Sequence, residues 1–215
     1  MAIFDNINPT LLKKMNDSQN NGANAENKTT NKNLFINSNF ASPINQRGKD
    51  TYTSSSKATY TIDRWYVTGA TTRKVTVCDG YVEVSNTSGS CYINQPMDNV
   101  KHSDGKTYTM SANINGNVRA FTFVNDGESK TETFDDGTQL IIENSQTNGL
   151  LKPAIGFSTG TSAKIYWAKI EEGSVATPYI AKEYYEELLI CSLYYTRTSK
   201  IEYGQNISYS DREIY

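Results

Sequence analysis

The chain has 215 residues, 37% of them hydrophobic, with a formal net charge of -2 and a single histidine. So small a charge supplies no long-range field for nucleic acid, and no apolar run approaches the roughly 20 residues that span a bilayer, so neither nucleic-acid binding nor membrane insertion is expected. A polar mean hydropathy of -0.60 coexists with 15 Tyr, 7 Phe and 2 Trp, which suits an all-β protein with aromatic core material and one solvated sheet face.

Residues 1–32 do not read as core. Asn8 is an N-cap candidate with Pro9 at the first helical position, and Leu11, Leu12 and Met15 would give one short helix an apolar stripe. Residues 16–32 are almost wholly polar and cannot bury enough surface to order themselves. The segment reads equally as a docking peptide on a tether or as a disordered tail. It opens without a basic region and an apolar stretch, so no secretory leader is expected.

From Asn33 the pattern becomes that of short strands. Lys74-Val-Thr-Val-Cys78 and Tyr81-Val-Glu-Val84 alternate on either side of Asp79-Gly80, which predicts a hairpin. Residues 106–114 put Tyr108, Met110, Ala112 and Ile114 on one face and end in the turn signal Asn115-Gly116. Val118 to Val124 follows, then Gln139 to Glu143, Ala154 to Ser158 and Ala163 to Ile170, each bounded by turn residues. Eight to ten strands are expected between residues 33 and 175, at the spacing of a β-sandwich or jelly roll.

The period then changes. Tyr184, Leu188, Cys191 and Tyr195 recur at helical steps, with Tyr185, Leu189 and Leu193 as a second apolar row. A single helix is therefore expected over 180–196. Its apolar surface exceeds what one small sandwich needs, so it packs either across its own sandwich or against another chain. Ile201–Tyr203 and Ile207–Ser210 alternate like a short hairpin without a core of its own.

Three groups of residues carry a family resemblance. Asn33-Leu-Phe-Ile-Asn37 with Phe40, Ile44-Asn-Gln-Arg-Gly48 and Tyr60-Thr-Ile-Asp-Arg-Trp65 form the first, and Gly105-Lys-Thr-Tyr-Thr-Met-Ser-Ala112 the second. The third is Ala168-Lys-Ile-Glu-Glu-Gly-Ser-Val-Ala-Thr177 with Tyr184-Tyr-Glu-Glu-Leu188, Cys191 and Tyr194-Tyr195. In this order the chain resembles the carbohydrate-binding-module-like β-sandwich of bacteriophage and prophage tail-fibre or other virion adhesion proteins. The resemblance implies a jelly-roll-like sandwich over 33–179, an exit helix over 180–196, a short extension over 197–215 and an N-terminal virion-docking peptide over 1–32. It further implies a non-enzymatic virion protein, a homotrimer joined to other virion proteins, and contact with host-surface carbohydrate. The alternative is a purely structural head-fibre, collar or baseplate subunit with the sandwich as scaffold. The chain departs from the family pattern at Lys182-Glu183, where an arginine is usual, and at Gln95-Pro-Met-Asp98, which replaces an acidic-apolar strand.

Asp63-Arg64-Trp65 supports two readings. Trp65 or Tyr66 could stack on a sugar while Asp63 and Arg64 bond its hydroxyls. Alternatively Arg64 pairs with an acidic residue and Trp65 fills the interior. Tyr52, in a Ser/Thr-rich loop, is a further candidate for glycan contact. Trp167, mid-strand, reads as core. Tyr184, Leu188, Leu189, Cys191 and Tyr195 are the candidate oligomer or partner interface. Glu128, Glu132, Asp135, Asp136 and Glu143 read as solvated carboxylates rather than a glycosidase pair, and Asp135-Asp136-Gly137 lacks a full calcium-loop pattern. Cys78, Cys91, Cys191 and His102 make no zinc set, and no cofactor is expected.

Overall fold

The alternating runs pair into two six-stranded antiparallel sheets in a computed structural model, which describes residues 30–143, 149–200 and 208–213 apart from 56, 70, 71, 99, 159 and 160. The first sheet has the spatial order β1 (Thr51–Ser54), β4 (Arg73–Cys78), β5 (Tyr81–Asn86), β12 (Ser162–Glu172), β7 (Thr107–Ile114) and β8 (Asn117–Val124). The second has β2 (Thr59–Tyr60), β3 (Tyr66–Gly69), β6 (Cys91–Asn94), β11 (Lys152–Phe157), β10 (Gln139–Glu143) and β9 (Lys130–Thr133). The chain crosses repeatedly from one sheet to the other, which gives the predicted jelly-roll-like sandwich. The strand total exceeds the sequence expectation because β2 and β9 are too short to show alternation. Leu11, Leu12 and Met15 lie outside the described residues.

The predicted 74–84 hairpin forms, and the Asn115-Gly116 turn signal closes a second one. Cys78 faces Tyr81 across Asp79-Gly80, and Ile114 faces Asn117 across Asn115-Gly116. Asn115 and Gly116 have φ of 54° and 82°, the left-handed pair that a tight two-residue turn requires. Tyr108, Met110, Ala112 and Ile114 are all buried on the inner face, opposite Val67, Ile93, Leu140 and Ile155 of the second sheet. Gly69, with φ of 140°, sits where a Cβ would lie 2.1 Å from the Ser90 carbonyl oxygen, so no other residue fits there.

β12 changes partners along its length. Its first residues pair with β5 as far as Ile165, a bulge intervenes, and the remainder runs beside β7 and the 33–41 segment. Leu34 N–H donates to Ile170 O at 2.8 Å, Ala168 N–H to Ser38 O at 3.0 Å and Ala41 N–H to Tyr166 O at 3.0 Å. The 33–41 segment thus occupies the edge that β5 leaves open. On the outer face of β12, Lys169 and Glu171 form a fully buried ion pair at 3.1 Å. Glu171 accepts from Thr177 N–H at 2.8 Å, and Lys169 donates to Pro178 O at 3.1 Å, so the pair clamps the 173–178 segment down.

The helix is shorter than the sequence periodicity predicts. It is α1, Tyr184–Cys191, preceded by extended chain and closed by a tight turn in which Leu193 and Tyr194 N–H donate to the carbonyls of Ile190 and Cys191. Tyr195 therefore does not share a helical face with Tyr184; it begins β13 (Tyr195–Lys200), which pairs with β14 (Ser208–Glu213) as a separate hairpin. The expected strand over Ile207–Ser210 overlaps β14, whereas the expected first strand, Ile201–Tyr203, lies outside the described residues, and β13 starts within residues expected to be the end of the helix.

Candidate functional site

Trp65 belongs to the interior. It is fully buried, with the rings of Phe35 and Phe40 at 5.0 and 4.9 Å, and its Nε1–H donates to Asn37 O at 2.8 Å. Arg64 pairs with Asp98 at 2.7 Å. The Asp63-Arg64-Trp65 cluster is therefore scaffold, the second of the two readings the sequence allowed. Tyr52 is buried too: its hydroxyl donates to Asn45 Oδ1, and burial pushes its pKa up to about 12 despite Arg47 nearby. Neither ring presents a face to a ligand.

Asn37 joins these motifs in space. Its φ of 54° turns its amide toward two other segments. Its Nδ2–H donates to Ile44 O at 2.9 Å and Asp63 O at 2.8 Å, and its Oδ1 accepts from Ile44 N–H at 2.7 Å. Its own N–H donates to Glu187 Oε1 of α1 at 2.6 Å. Residues 33–44, the 61–65 turn and α1 thus close one end of the sandwich through a single side chain and its backbone. A polar cleft of about 110 Å³ remains there, between Asn37, Asn39, Ser42, Lys182, Tyr184 and Glu187.

Within this closure Asp63 is completely buried. Gln46 donates to it twice, from N–H at 3.2 Å and from Nε2–H at 2.6 Å, and Arg47 Nη1 lies 3.5 Å away. Burial outweighs these partners and pushes its pKa up to about 6. The Arg47 guanidinium also lies 4.0 Å from the Tyr195 ring centroid, and Gln46 Nε2–H donates to Tyr195 O at 2.8 Å, so the base of the hairpin is held by the same residues.

Tyr66 is placed differently. Alternation along β3 turns Val67 inward and Tyr66 and Thr68 outward. Register extends this outer surface as a row: Tyr60, Tyr66, Asn94, Ala154 and Ile141. Beside it run Thr68, Tyr92, Gly156 and Gln139. The Tyr60 and Tyr66 rings lie 5.6 Å apart, with Tyr60 39% exposed. Lys152 pairs with Glu143 and sits 5.8 Å from the Tyr66 ring centroid. Burial raises the Tyr66 pKa even though Lys152 opposes it.

Close packing shapes this face: at Gly156 a Cβ would meet Ile141, Gln139 and Tyr92 atoms at 2.9 to 3.1 Å. Asn94 is fully buried beneath the face; its Nδ2–H donates to Thr68 Oγ1 at 2.9 Å and Tyr92 O at 3.1 Å, while its Oδ1 has no hydrogen-bond partner. Rings, hydroxyls and an ammonium–carboxylate pair on one surface suit a ligand with C–H faces and many hydroxyls. The sequence singles out Tyr66 but not Tyr60, Tyr92 and Lys152, which lie beside it on this face. Alternation against Val67 and Ile93 carried that signal, but the order of strands across the sheet was needed to join them.

The predicted interface residues separate. Tyr184 and Tyr185 are 50% and 81% exposed, Leu188 and Leu189 are half-buried, and Cys191 and Tyr195 are buried in their own chain. The buried face of α1 is Glu187 and Cys191, because Glu187 accepts from Asn37 N–H. Ile180 at 61% and Leu193 at 51% add to the exposed apolar set around α1. Trp167 stacks on Tyr179 at 4.8 Å and is half-buried beneath the returning chain.

Among the carboxylates, Asp136 accepts from Thr138 N–H and Oγ1–H and pairs with Arg119 at 3.2 Å. These bonds hold it below the usual carboxylate range against the opposing effect of burial. Among the described residues no group of three His, Cys, Asp or Glu side chains is placed to hold a metal, and no helix is long and apolar enough to cross a membrane. Comparison with protein-family models, curated proteins and solved structures finds no match to this chain.

Proposed function

We propose that this chain is a non-enzymatic, carbohydrate-binding β-sandwich of a phage virion fibre, and that the outer face of the second sheet takes the sugar. The observation that carries the reading is the Tyr60–Tyr66 ring pair on the outer face of β2 and β3, flanked by Tyr92 and the Lys152–Glu143 pair. Aromatic rings pack against the C–H faces of a pyranose, and the hydroxyl and charged groups bond its hydroxyls. The N-terminal segment serves as the virion attachment. Copies join as a trimer, in contact with other virion proteins, through the exposed Tyr184, Tyr185 and Leu193 around α1.

Binding of the full chain to an array of bacterial surface glycans tests this. Tyr66→Ala and Tyr92→Ala should each abolish binding while leaving the circular dichroism spectrum unchanged, and Tyr185→Ala should leave binding intact. Absence of binding to every glycan would refute the sugar-binding role. It would favour the second reading, a structural virion subunit, for which the exposed apolar set around α1 is the specific support.

A further inference from the structure

We infer that β8 is a self-association edge, onto which the β8 of a second copy of this chain adds antiparallel. The two sheets end in four strands: β1 and β8 in the first, β2 and β9 in the second. Strand edges offer unpaired backbone groups to any passing strand, and proteins blunt them by shortness, charge or proline. Three of these ends are blunted. β2 spans two residues, β1 spans four, and β9 spans four with Lys130 and Glu132 among them. β8 is eight residues long, Asn117-Val-Arg-Ala-Phe-Thr-Phe-Val124, with no proline, lysine or carboxylate. Among the described residues no strand lies beyond it.

The backbone groups facing outward can be assigned. The pair Ile114–Asn117 closes the two-residue turn, and Asn125 N–H donates to Lys106 O at 2.8 Å at the far end. Thr107 O meanwhile accepts from Gly173 N–H at 2.9 Å, toward β12. With antiparallel alternation, residues 117, 119, 121 and 123 bond to β7, and Val118, Ala120, Thr122 and Val124 direct N–H and C=O groups away from the sheet. Val118 and Val124 are also 62% and 47% exposed.

The edge is its own complement. A two-fold axis at Phe121 sets Val118 opposite Val124, Ala120 opposite Thr122 and Arg119 opposite Phe123. All the outward groups then fall in closely bonded pairs, roughly eight hydrogen bonds in total. Arg119 is the strand's only charge. In this register it meets a ring rather than another arginine, and Asp136 at 3.2 Å already compensates it. The contact uses none of the α1 residues, so it is separate from whatever assembly α1 makes.

Sedimentation equilibrium of the full chain against Ala120→Lys and Ala120→Pro tests the pairing. Lysine adds charge to the edge, and proline removes an N–H that points away from β7, so neither breaks a bond within the sheet. The wild-type mass should be at least twice that of both variants at equal concentration, with unchanged circular dichroism. Hydrogen exchange should show the amides of Val118, Ala120, Thr122 and Val124 protected in the wild type and at least tenfold faster at 118, 122 and 124 in Ala120→Lys. Should the proline variant misfold, the lysine variant carries the test. Equal masses for the wild type and Ala120→Lys would overturn the inference. So would rapid wild-type exchange at those four amides while 119, 121 and 123 stay protected.

Discussion

Asp63→Asn isolates a carboxylate that the closure of the sandwich forces out of water. In the folded chain its pKa stands at about 6, against 3.8 for the free side chain. Below about pH 4 both folded and unfolded chains hold the proton, and the group's contribution to stability is fully present. Between the two values the folded state keeps a proton that the unfolded state has released, so stability falls as pH rises and levels off above about pH 6. A shift of about two units at about 1.4 kcal/mol each gives a loss of about 3 kcal/mol across the window. The asparagine variant carries no such proton. Urea unfolding followed by tryptophan fluorescence, at intervals from pH 4 to 7, gives the stability of each protein. The variant minus wild-type difference should rise by about 2 kcal/mol over that range, the remainder of the change falling below pH 4, and other titrating groups cancel in it. A flat difference would refute the argument. A falling one would show that Gln46 and Arg47 outweigh burial.

Trp65→Ala should cost about 3–5 kcal/mol in chemical denaturation, since the ring fills the space between Phe35 and Phe40. Trp65→Phe should cost about 1–2 kcal/mol, because Asn37 O then loses its buried donor. Lys169→Met should cost about 3–5 kcal/mol, since it strands the Glu171 carboxylate in a fully buried position. The double variant Lys169→Met, Glu171→Leu should recover part of that loss, and equal losses in the single and double variants would show that the ion pair is not what the single change disrupts.

Reading strands from the sequence worked where alternation was strong. The 107–114 strand and both tight turns were legible because Tyr108, Met110, Ala112 and Ile114 repeat with period two and Asn115-Gly116 admits few other conformations. The helix was legible only in existence. Its length depended on the turn at 192–194 and on a clamp from Lys169 and Glu171, neither of which has a periodic signature.

Local chemistry determined that the chain is all-β with aromatic core material, and it determined the turns. Whether a given ring is core or surface was decided by tertiary structure. Trp65 and Tyr66 are neighbours in sequence, and alternation says only that they point opposite ways. Asn37 and α1 close over the first, while the second stands on a face assembled from β2, β3, β6, β11 and β10. Those strands come from residues 59 to 157, and no pattern within any one of them states the order in which they lie side by side. That order comes from which apolar faces can be buried together, and it alone brings Tyr60, Tyr66, Tyr92 and Lys152 onto one surface.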